Sequence, residues 1–368
     1  MTTRVLTVDP QHPDPATIEE AAEALKAGKL VAFPTETVYG LGANALDERA
    51  VTKIFAAKDR PSNDPLIVHI AHVGQVAQCA ATFPADARKL ALSFWAGPLT
   101  LILPKKPSIS DLVTAGLPNV ALRAPSHRVA RALMEMAGVP IAAPSANRFS
   151  RPSPTTAAHV KADLDGRVDL ILDGGATDIG LESTIVDFTV TPPVVRRPGG
   201  ITVEQVRSLV PDVVLASDHH HVSAEGRSAE KDESAPQPAP GQFARHYAPR
   251  AQLTLYQGSA DRVVARLGAD VRTAVATGAR VGILAPQEDL NALAPIVASA
   301  AAAGRVEVRP YGARNDLDRA GRELFAALRD LDDTGVSLIF ATSVGDQGLA
   351  LAIRDRLARA AEGRVRMA

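Results

Sequence analysis

The sequence predicts an α/β protein of two domains, and three observations carry that prediction. Short apolar runs typical of strands alternate with helical patterns along the whole chain. A polar segment at 217–241 contains three histidines, a charged run and several prolines, which is typical of a linker. The 368 residues are enough for a core on each side of it. We therefore expect a first domain at 1–210, a linker at 211–250 and a second domain at 251–368.

The first domain is expected to hold a mixed, twisted sheet flanked by helices, because its strand-like runs are numerous for its length. These runs are 30–33, 66–70, 99–103, 120–123, 141–143, 170–172, 184–187 and 194–197. Helical patterns cover 17–27, 50–57, 85–94, 128–137 and 155–164. In the smaller second domain, runs at 253–256, 281–284, 306–310 and 338–341 alternate with Ala- and Arg-rich helices, which predicts a parallel sheet.

Composition and charge favour a cytoplasmic enzyme without membrane contact. The chain has 40 basic and 41 acidic residues, so its net charge of -1 gives no global attraction to nucleic acid or lipid. A single cysteine, Cys79, excludes an intrachain disulfide and a thiolate metal cluster; we expect it to be a buried structural thiol. The N-terminus lacks an apolar signal core, and no run approaches the roughly 20 apolar residues of a membrane helix.

The densest group of chemically active residues is FPTETVYGLG at 33–42. Its buried strand stops at Pro34 and brings two threonine hydroxyls and a glutamate to the strand's carboxyl end, where ligands commonly bind. Lys58 and Arg60 follow a short helical pattern and precede Pro61, so we expect both side chains in an exposed loop. Such a cation pair suits a phosphate or a carboxylate, and a solvated helix end is the ordinary alternative.

The segment GLGANA at 40–45 spells the G-x-G-x-x-A of a dinucleotide-binding turn. That function also requires an acidic residue at the end of a second strand, about twenty positions on. Lys58, Asp59 and Arg60 occupy that region instead. We therefore predict a tight turn whose glycines allow close approach to a ligand or strand.

Further polar clusters stand at successive strand ends. They are Arg123 in VALRAP, PSAN at 144–147, EST at 182–184 and RRPGG at 196–200. Each alone is ordinary turn or cap chemistry. Their repetition indicates a shared ligand site.

Taken in order, FPTETVYGLG, K-x-R-P, PLIVH, PSAN, RPSPTTA, ESTIVD and RRPGG resemble the YrdC-like threonylcarbamoyl-AMP synthases over essentially the whole first domain. The segments PGQFARHYAP at 240–249 and GLALAIRDRL at 348–357 are similar to the longer, two-domain branch of that family. The resemblance implies a YrdC-like N-terminal domain and a smaller C-terminal Rossmann-like parallel α/β domain. It also implies condensation of L-threonine, bicarbonate or carbon dioxide, and ATP to threonylcarbamoyl-adenylate and pyrophosphate. That product feeds threonylcarbamoyl modification of adenosine beside the anticodon of tRNA.

By the same resemblance, Lys58 and Arg60 would be the catalytic residues, acting on the triphosphate and on charge that develops during transfer. The nucleotide and its phosphates would be held by Arg60, Asp64, Asn119, Ser145, Asn147, Ser153, Arg197 and, from the linker, Tyr247. Threonine would be held by Thr37, His69, Arg123, the backbone of Ala143, and Ser183, with Arg123 on its carboxylate. Such a reaction needs positioning and charge neutralisation rather than a protein nucleophile.

Several assignments keep alternatives. His69 could be a satisfied core histidine, and Tyr247 could simply pack the linker. Mg²⁺ is expected with ATP, held through substrate oxygens and water rather than a protein cage. The run 219–221 of three histidines suggests a metal site, but its polar surroundings favour a solvated loop. Gln242 stands where the family commonly has methionine.

Two other functions are alternatives to synthesis of the adenylate. A double-stranded RNA-binding module suits relatives of the first domain, but the near-neutral charge and 4% aromatic content weaken it. Carbamoyl transfer in hydrogenase maturation uses a similar domain beside zinc fingers, which a chain with one cysteine cannot form. A downstream threonylcarbamoyl transferase and tRNA or double-stranded RNA are the candidate macromolecular partners.

Overall fold

The structure, a computed structural model, describes residues 2–216, 235–243 and 246–368. They form two compact units. The first is drawn from Met1–Phe149, Pro154–Asp178 and Glu182–Phe243, and the second from Ser150–Ser153, Ile179–Leu181 and Ala244–Ala368. His219, His220 and His221 lie outside the described residues.

The first unit is built on an eleven-stranded mixed sheet, which confirms the predicted fold class for this half. Parallel pairs, such as β4 with β6, occur beside antiparallel pairs, such as β5 with β6. The order across the sheet is β1-β8-β2-β3-β7-β4-β6-β5-β9-β10-β11. The strands are β1 (Arg4–Thr7), β2 (Val31–Phe33), β3 (Gly40–Asn44), β4 (Ile67–His69), β5 (Leu99–Pro104), β6 (Asn119–Arg123), β7 (Ile141–Ala142), β8 (Leu170–Asp173), β9 (Thr184–Asp187), β10 (Val194–Arg197) and β11 (Val214–Leu215).

Several helices of the first unit begin at polar side-chain caps, and the helices pack apolar stripes on the sheet. Asp14 accepts a hydrogen bond from the Thr17 amide at the start of the first helix, at 3.0 Å. Leu25 and Leu133 of two helices share an apolar core with Phe33. A 3₁₀ turn spans Val73–Gln75. The helices are α1 (Pro15–Lys26), α2 (Glu48–Lys58), α3 (Val76–Cys79), α4 (Ala85–Phe94), α5 (Asp111–Thr114), α6 (Arg128–Ala137), α7 (Ala157–Leu164) and α8 (Val203–Leu209).

The second unit contains a five-stranded sheet in which every strand pair is parallel, as predicted. The order is β14-β13-β15-β12-β16. The strands are β12 (Gln252–Gln257), β13 (Val281–Ala285), β14 (Val306–Pro310), β15 (Leu338–Thr342) and β16 (Val365–Met367), and the helices are α9 (Ala260–Ala276), α10 (Gln287–Ala302), α11 (Leu317–Asp333) and α12 (Leu349–Ala360). Across the described part of the chain, no helix combines the length and apolar character needed to cross a membrane.

Helices cover both faces of this second sheet. Ile283 of β13 packs in one apolar cluster with Leu267 of α9 and Leu293 of α10. Gly282, the residue before Ile283 in β13, instead lies against Leu331 of α11, whose side chain is 2.8 Å from where a Cβ would be. Because successive strand residues point to opposite faces, α9 and α10 cover one face and α11 covers the other, where α12 packs beside it.

The predicted tight turn at 40–45 is wrong. Gly40 and Gly42 lie in β3, which pairs antiparallel with β2. A Cβ on Gly42 would lie 2.8 Å from the Phe33 ring and 2.9 Å from Ile141, so the expected close approach exists, but strand neighbours make it. The strands β1, β11 and β16 also escaped prediction; β1 and β16 are largely exposed, so they lack the apolar run that reveals a buried strand.

Candidate functional site

Lys58 is buried, which corrects its expected place in an exposed loop. It is the last residue of α2, and only 1% of its surface is exposed. Its position is i+4 from the buried Ile54, so both side chains lie on the inner face of the helix. The Nζ atom donates to the carbonyl oxygen of Ser145 at 2.5 Å and to that of Asn147. Lys58 thus holds the PSAN segment directly.

Arg60 is buried too, and the expectation of an exposed loop is wrong for it as well. Its Nη2 lies 2.9 Å from Oδ2 of Asp64, and both side chains are almost fully enclosed. Nε donates to the Asp64 carbonyl at 3.2 Å and Nη2 to the Pro65 carbonyl at 2.8 Å. The loop after α2 therefore folds back on the Arg60 guanidinium and holds it in place.

Asp64 is surrounded by positive charge. Burial raises the pKa of its carboxyl group, and the charges of Arg60, Lys58 and Arg197 oppose that rise. The Gly241 amide donates to Oδ1 of Asp64 at 3.4 Å. The structure thus brings three predicted phosphate-binding cations around one carboxylate.

Arg197 links this cation group to the EST segment. Its Nε and Nη2 donate to the Ser183 carbonyl at 3.2 and 3.1 Å, and Nη2 lies 3.3 Å from the Ser183 Oγ. Nη1 donates to the Pro240 carbonyl at 3.3 Å. A Cβ on Gly199 would lie 2.3 Å from the Glu182 carbonyl oxygen, so the RRPGG motif needs a glycine there to pack on the EST backbone.

Arg123 and Thr37 meet around a glutamate. Nη2 of Arg123 donates to Oε1 of Glu36 and to Oγ1 of Thr37, both at 2.8 Å. Oε2 of Glu36 accepts from the Ser126 amide at 3.1 Å. Both members of the Arg123–Glu36 ion pair are buried. The structure shows that Glu36, the glutamate of the FPTETVYGLG motif, orients Arg123.

The two clusters are joined across the sheet. Arg123 in β6 pairs with Thr100 in β5, and Thr100 Oγ1 lies 2.7 Å from Ser183 Oγ, on the residue before β9. Ser183 in turn contacts Arg197. The predicted threonine-binding and phosphate-binding residues are therefore neighbours in the first unit. Thr100, which makes the connection, was not predicted, because a threonine inside an apolar strand carries no sequence signal of a site.

His69 ends β4 and is buried. Burial, and then the charge of Arg123, lowers its pKa to about 3, so the imidazole is neutral at physiological pH. Nδ1 lies 3.2 Å from the Ile67 carbonyl, and the ring stands edge-on to Phe33 at 6.3 Å between centroids. These contacts also suit the alternative of a satisfied core histidine, so its role in threonine binding stays a prediction.

Three further predicted site residues, Ala143, Asn147 and Asn119, lie in the first unit. Ala143 donates its amide to the Ile67 carbonyl at 2.9 Å, beside His69. Asn147 Nδ2 donates to the Arg148 carbonyl at 2.7 Å. Asn119 starts β6, four residues and roughly 13 Å from Arg123 at the ordinary strand rise, and donates to Thr189 Oγ1 at 3.3 Å. Among the described residues, no side-chain hydrogen bond joins Asn119 to either cluster.

Ser153 and Tyr247 belong to the second unit. The Ser153 carbonyl accepts from Nε of Arg329 at 3.5 Å. The Tyr247 ring lies 5.3 Å from that of Phe325, and the Arg356 guanidinium lies over it, also at 5.3 Å. These contacts agree with a packing role for Tyr247, and nucleotide binding by both residues stays a prediction.

The described residues contain no group of three or more His, Cys, Asp or Glu side chains arranged to hold a metal ion. Oδ1 of Asp64 is engaged by Gly241 and Oδ2 by Arg60, while Arg123 and Ser126 engage Glu36. Cys79 is buried, and burial raises its pKa to about 11, so it is a poor nucleophile. What these residues offer is a dense set of fixed cations and hydroxyls suited to an anionic ligand.

Comparison with known proteins gives the family. Residues 23–199 match the Sua5, YciO and YrdC family described as telomere recombination, and residues 201–362 match the C-terminal domain of threonylcarbamoyl-AMP synthase. The threonylcarbamoyl-AMP synthase of Pyrococcus abyssi is 41% identical over 348 residues, covering 95% of each chain. That of Bacillus subtilis is 43% identical over 366 residues, covering 99% of this chain and 97% of the relative.

This chain belongs to the threonylcarbamoyl-AMP synthase family. Its match to the C-terminal model places it in the two-domain branch, as the sequence motifs predict. The crystal structure of P. abyssi Sua5 complexed with L-threonine superposes with a TM-score of 0.87 at 40% identity, covering 99% of both chains. Both clusters described above lie within the residues matched by the first family model.

Proposed function

We propose that this protein is an L-threonylcarbamoyladenylate synthase, a nucleotidyltransferase that uses ATP. The observation that carries the proposal is the full-length similarity to synthases, combined with the buried cation cluster that those synthase motifs form. The relatives reported above are named as synthases, and nothing found supports the alternative of an RNA-binding protein without activity.

In the proposed reaction the threonine amine adds to carbon dioxide, supplied as such or as bicarbonate, and loses a proton to give a carbamate. A carbamate oxygen then attacks the α-phosphorus of ATP, and the bond from that phosphorus to the β-phosphate oxygen breaks. Pyrophosphate leaves and threonylcarbamoyl-AMP remains. The protein supplies fixed charge and position for these steps rather than a covalent partner.

The first cluster suits the nucleotide side of this reaction. Lys58, Arg60 and Arg197 are held in place by carbonyls and by Asp64, so their charges need little reorganisation as negative charge moves to the leaving pyrophosphate. Ser145 and Asn147 belong to the segment that Lys58 holds. We assign these residues, with Asp64, to ATP, and keep Asn119, Ser153 and Tyr247 as further contacts to be tested.

The second cluster suits threonine. Arg123 is the proposed partner of its carboxylate, and Glu36 fixes the guanidinium so that only part of its hydrogen-bonding edge is used. Thr37 and Ser183 carry hydroxyls next to Arg123 or its strand partner Thr100, and we assign them to the substrate alcohol and ammonium ends. His69 and the backbone at Ala143 complete the proposed threonine site.

We also propose that Mg²⁺ accompanies ATP. Because Asp64 and Glu36 already have partners, the chain fits a metal held mainly by phosphate oxygens and water, with Asp64 the closest candidate carboxylate. When bound, the metal would neutralise phosphate charge. We place the protein in the cytoplasm, where its product would pass to a threonylcarbamoyl transferase acting on tRNA.

The test is pyrophosphate release from ATP by the purified full chain with bicarbonate present. We expect release to depend on L-threonine and to be far weaker with L-serine, L-valine or no amino acid. Lys58→Ala should lower threonine-dependent release by about 10²- to 10³-fold, the usual effect of deleting a fixed charge donor. The same change leaves two buried carbonyls without this donor, so we also expect a stability loss of about 1–3 kcal/mol.

Lys53→Ala is the matched control, because Lys53 lies on α2 with an exposed side chain and donates to the Gly28 carbonyl at 2.6 Å. It should keep the wild-type rate. The fluorescence of Trp95, the sole tryptophan, checks that each variant is folded. Release that ignores threonine would refute the proposed function, and a wild-type rate in folded Lys58→Ala would refute the role of Lys58.

A further inference from the structure

The sheet of the second unit has a crevice that the proposed synthase reaction does not use. β12 and β15 are parallel neighbours, but the chain leaves β12 for α9 on one face and leaves β15 for α12 on the other. In parallel α/β sheets, the carboxyl ends of two such strands open a crevice where ligands bind.

A cavity of about 320 Å³ lies at this place. Its walls include Tyr256 and Gly258 from the end of β12, Val263 of α9, and Thr342 from the end of β15. This volume is at the small end of the range for organic ligands, roughly 300–1,000 Å³. It matches a ligand of about the size of a mononucleotide.

The loop from β15 to α12 has the features of a phosphate-binding turn. It reads Ser-Val-Gly-Asp-Gln-Gly at 343–348, a strand-to-helix connection with two glycines. Gly348, at φ 56° and ψ -135°, adopts a conformation that side-chain-bearing residues avoid, and it has no side chain to cap the first turn of α12. No acidic residue occupies that first turn, and its Ala350 and Leu351 amides donate to the carbonyls of Gln347 and Gly348, at 3.0 and 3.3 Å. The part of the loop that lines the cavity is Ser343, Gly345 and Asp346.

Two arginines line the same cavity. Arg314 is fixed by Asp289, with Nη2 at 2.8 and 2.7 Å from its two oxygens, and by the Ser343 carbonyl at 3.1 Å. Its Nε is buried and has no hydrogen-bond partner among the described residues. Arg354 is 38% exposed, and its contact with the exposed Asp346 spans 3.7 Å, a pair weak enough for a phosphate to replace.

We propose that this cavity binds a small phosphate ester of about mononucleotide size, with its phosphate at the glycine loop and Arg354. Three features meet there: the crevice between strands whose connections diverge, Gly345 of the glycine loop, and two arginines, Arg314 and Arg354, among the lining residues. The proposal gives the second unit a ligand of its own and does not depend on the synthase assignment of the first unit.

The experiment is hydrogen–deuterium exchange by mass spectrometry on the full chain, titrated separately with AMP, inorganic phosphate and adenosine. AMP should slow exchange in peptides covering 342–350, phosphate should do so at higher concentration, and adenosine should have no effect. Because exchange is read peptide by peptide, AMP bound in the first unit is seen separately, at 143–149. Arg354→Glu should raise the AMP concentration needed for half-protection of 342–350 at least tenfold.

Arg272→Glu, an exposed charge reversal on α9 away from the cavity, should leave that concentration unchanged. Arg354→Gln is the milder variant if the reversal disturbs folding, as judged by circular dichroism. The proposal fails if millimolar AMP and phosphate leave 342–350 unprotected, or if protection survives both Arg354 variants. If AMP and phosphate half-protected 342–350 at the same concentration, the inference that the ligand is of mononucleotide size would be wrong.

Discussion

The two units differ in where their buried charged side chains lie. In the first, Lys58, Arg60, Asp64, Arg123 and Glu36 are buried around chain segments that connect strands. In the second, the buried charges of Asp289, Arg329, Asp332 and Arg356 lie on helices, and exposed ion pairs such as Arg319–Glu323 lie at the helical surface. Because buried ions cost stability unless each is paired, their convergence at strand ends and loops of the first unit is the physical signature of a functional site.

The largest test of this contrast is the Arg123–Glu36 pair. Arg123→Met would leave the Glu36 carboxylate buried without its ion-pair partner, and we expect a loss of about 3–5 kcal/mol in the free energy of unfolding. Urea unfolding followed by Trp95 fluorescence measures it, because that residue lies in the first unit. Threonine-dependent activity should be lost as well.

Two further variants make the test decisive. Arg123→Met with Glu36→Met removes both charges and should recover most of the stability but none of the activity. Arg319→Met in the second unit breaks a pair whose side chains are 61% and 37% exposed, and should cost about 0.3–0.5 kcal/mol. If the Arg123 and Arg319 variants cost the same, the expected difference between this buried pair and the exposed pair is wrong.

The same contrast explains which features the sequence could predict. The observed helices Ala85–Phe94 and Arg128–Ala137 and the strand Thr184–Asp187 have the predicted bounds, because their amphipathic or apolar patterns are local. The burial of Lys58 depends on carbonyls 87 and 89 residues away, and Glu36 meets Arg123 across 87 residues. No local pattern encodes such contacts, so a site motif predicted the residue types but not their burial.

Lowering the pH should destabilise the first unit before it destabilises the second. Burial lowers the pKa of His69 to about 3 and also lowers that of His127. His69 therefore stays neutral in the folded first unit, whereas in the unfolded chain it takes up a proton below about pH 6.5. Between pH 6.5 and pH 5 the His69 contribution alone should destabilise the first unit by about 2 kcal/mol. In the second unit burial raises the pKa of Asp355, but Arg359 and Arg356 lower it further, so that loss begins only below about pH 4.

Urea midpoints at pH 7 and pH 5 test this, with Trp95 fluorescence for the first unit and circular dichroism for the whole chain. His69→Gln should remove most of the fluorescence-detected drop. His72→Gln is the control. Because His72 is exposed, this variant should show the same loss of stability between pH 7 and pH 5 as the wild type. A first unit equally stable at both pH values would show that His69 is protonated when folded.

The smallest expected stability losses come from replacing one glycine in each sheet by alanine. A Cβ on Gly42 would meet the rigid Phe33 ring at 2.8 Å and the Val31 carbonyl at 3.3 Å. The three atoms nearest to a Cβ on Gly282 are all side-chain atoms of Leu331, at 2.8–3.0 Å. Gly42→Ala should therefore cost about 1–2 kcal/mol, since an aromatic edge and backbone cannot yield. Gly282→Ala should cost less than about 1 kcal/mol, because a leucine can change rotamer and the alanine restricts the unfolded chain. Urea unfolding gives both stability losses, followed by fluorescence for Gly42→Ala and by circular dichroism for Gly282→Ala. A larger loss for Gly282→Ala would mean that the sheet of the first unit, despite its buried charges, is the more adaptable of the two.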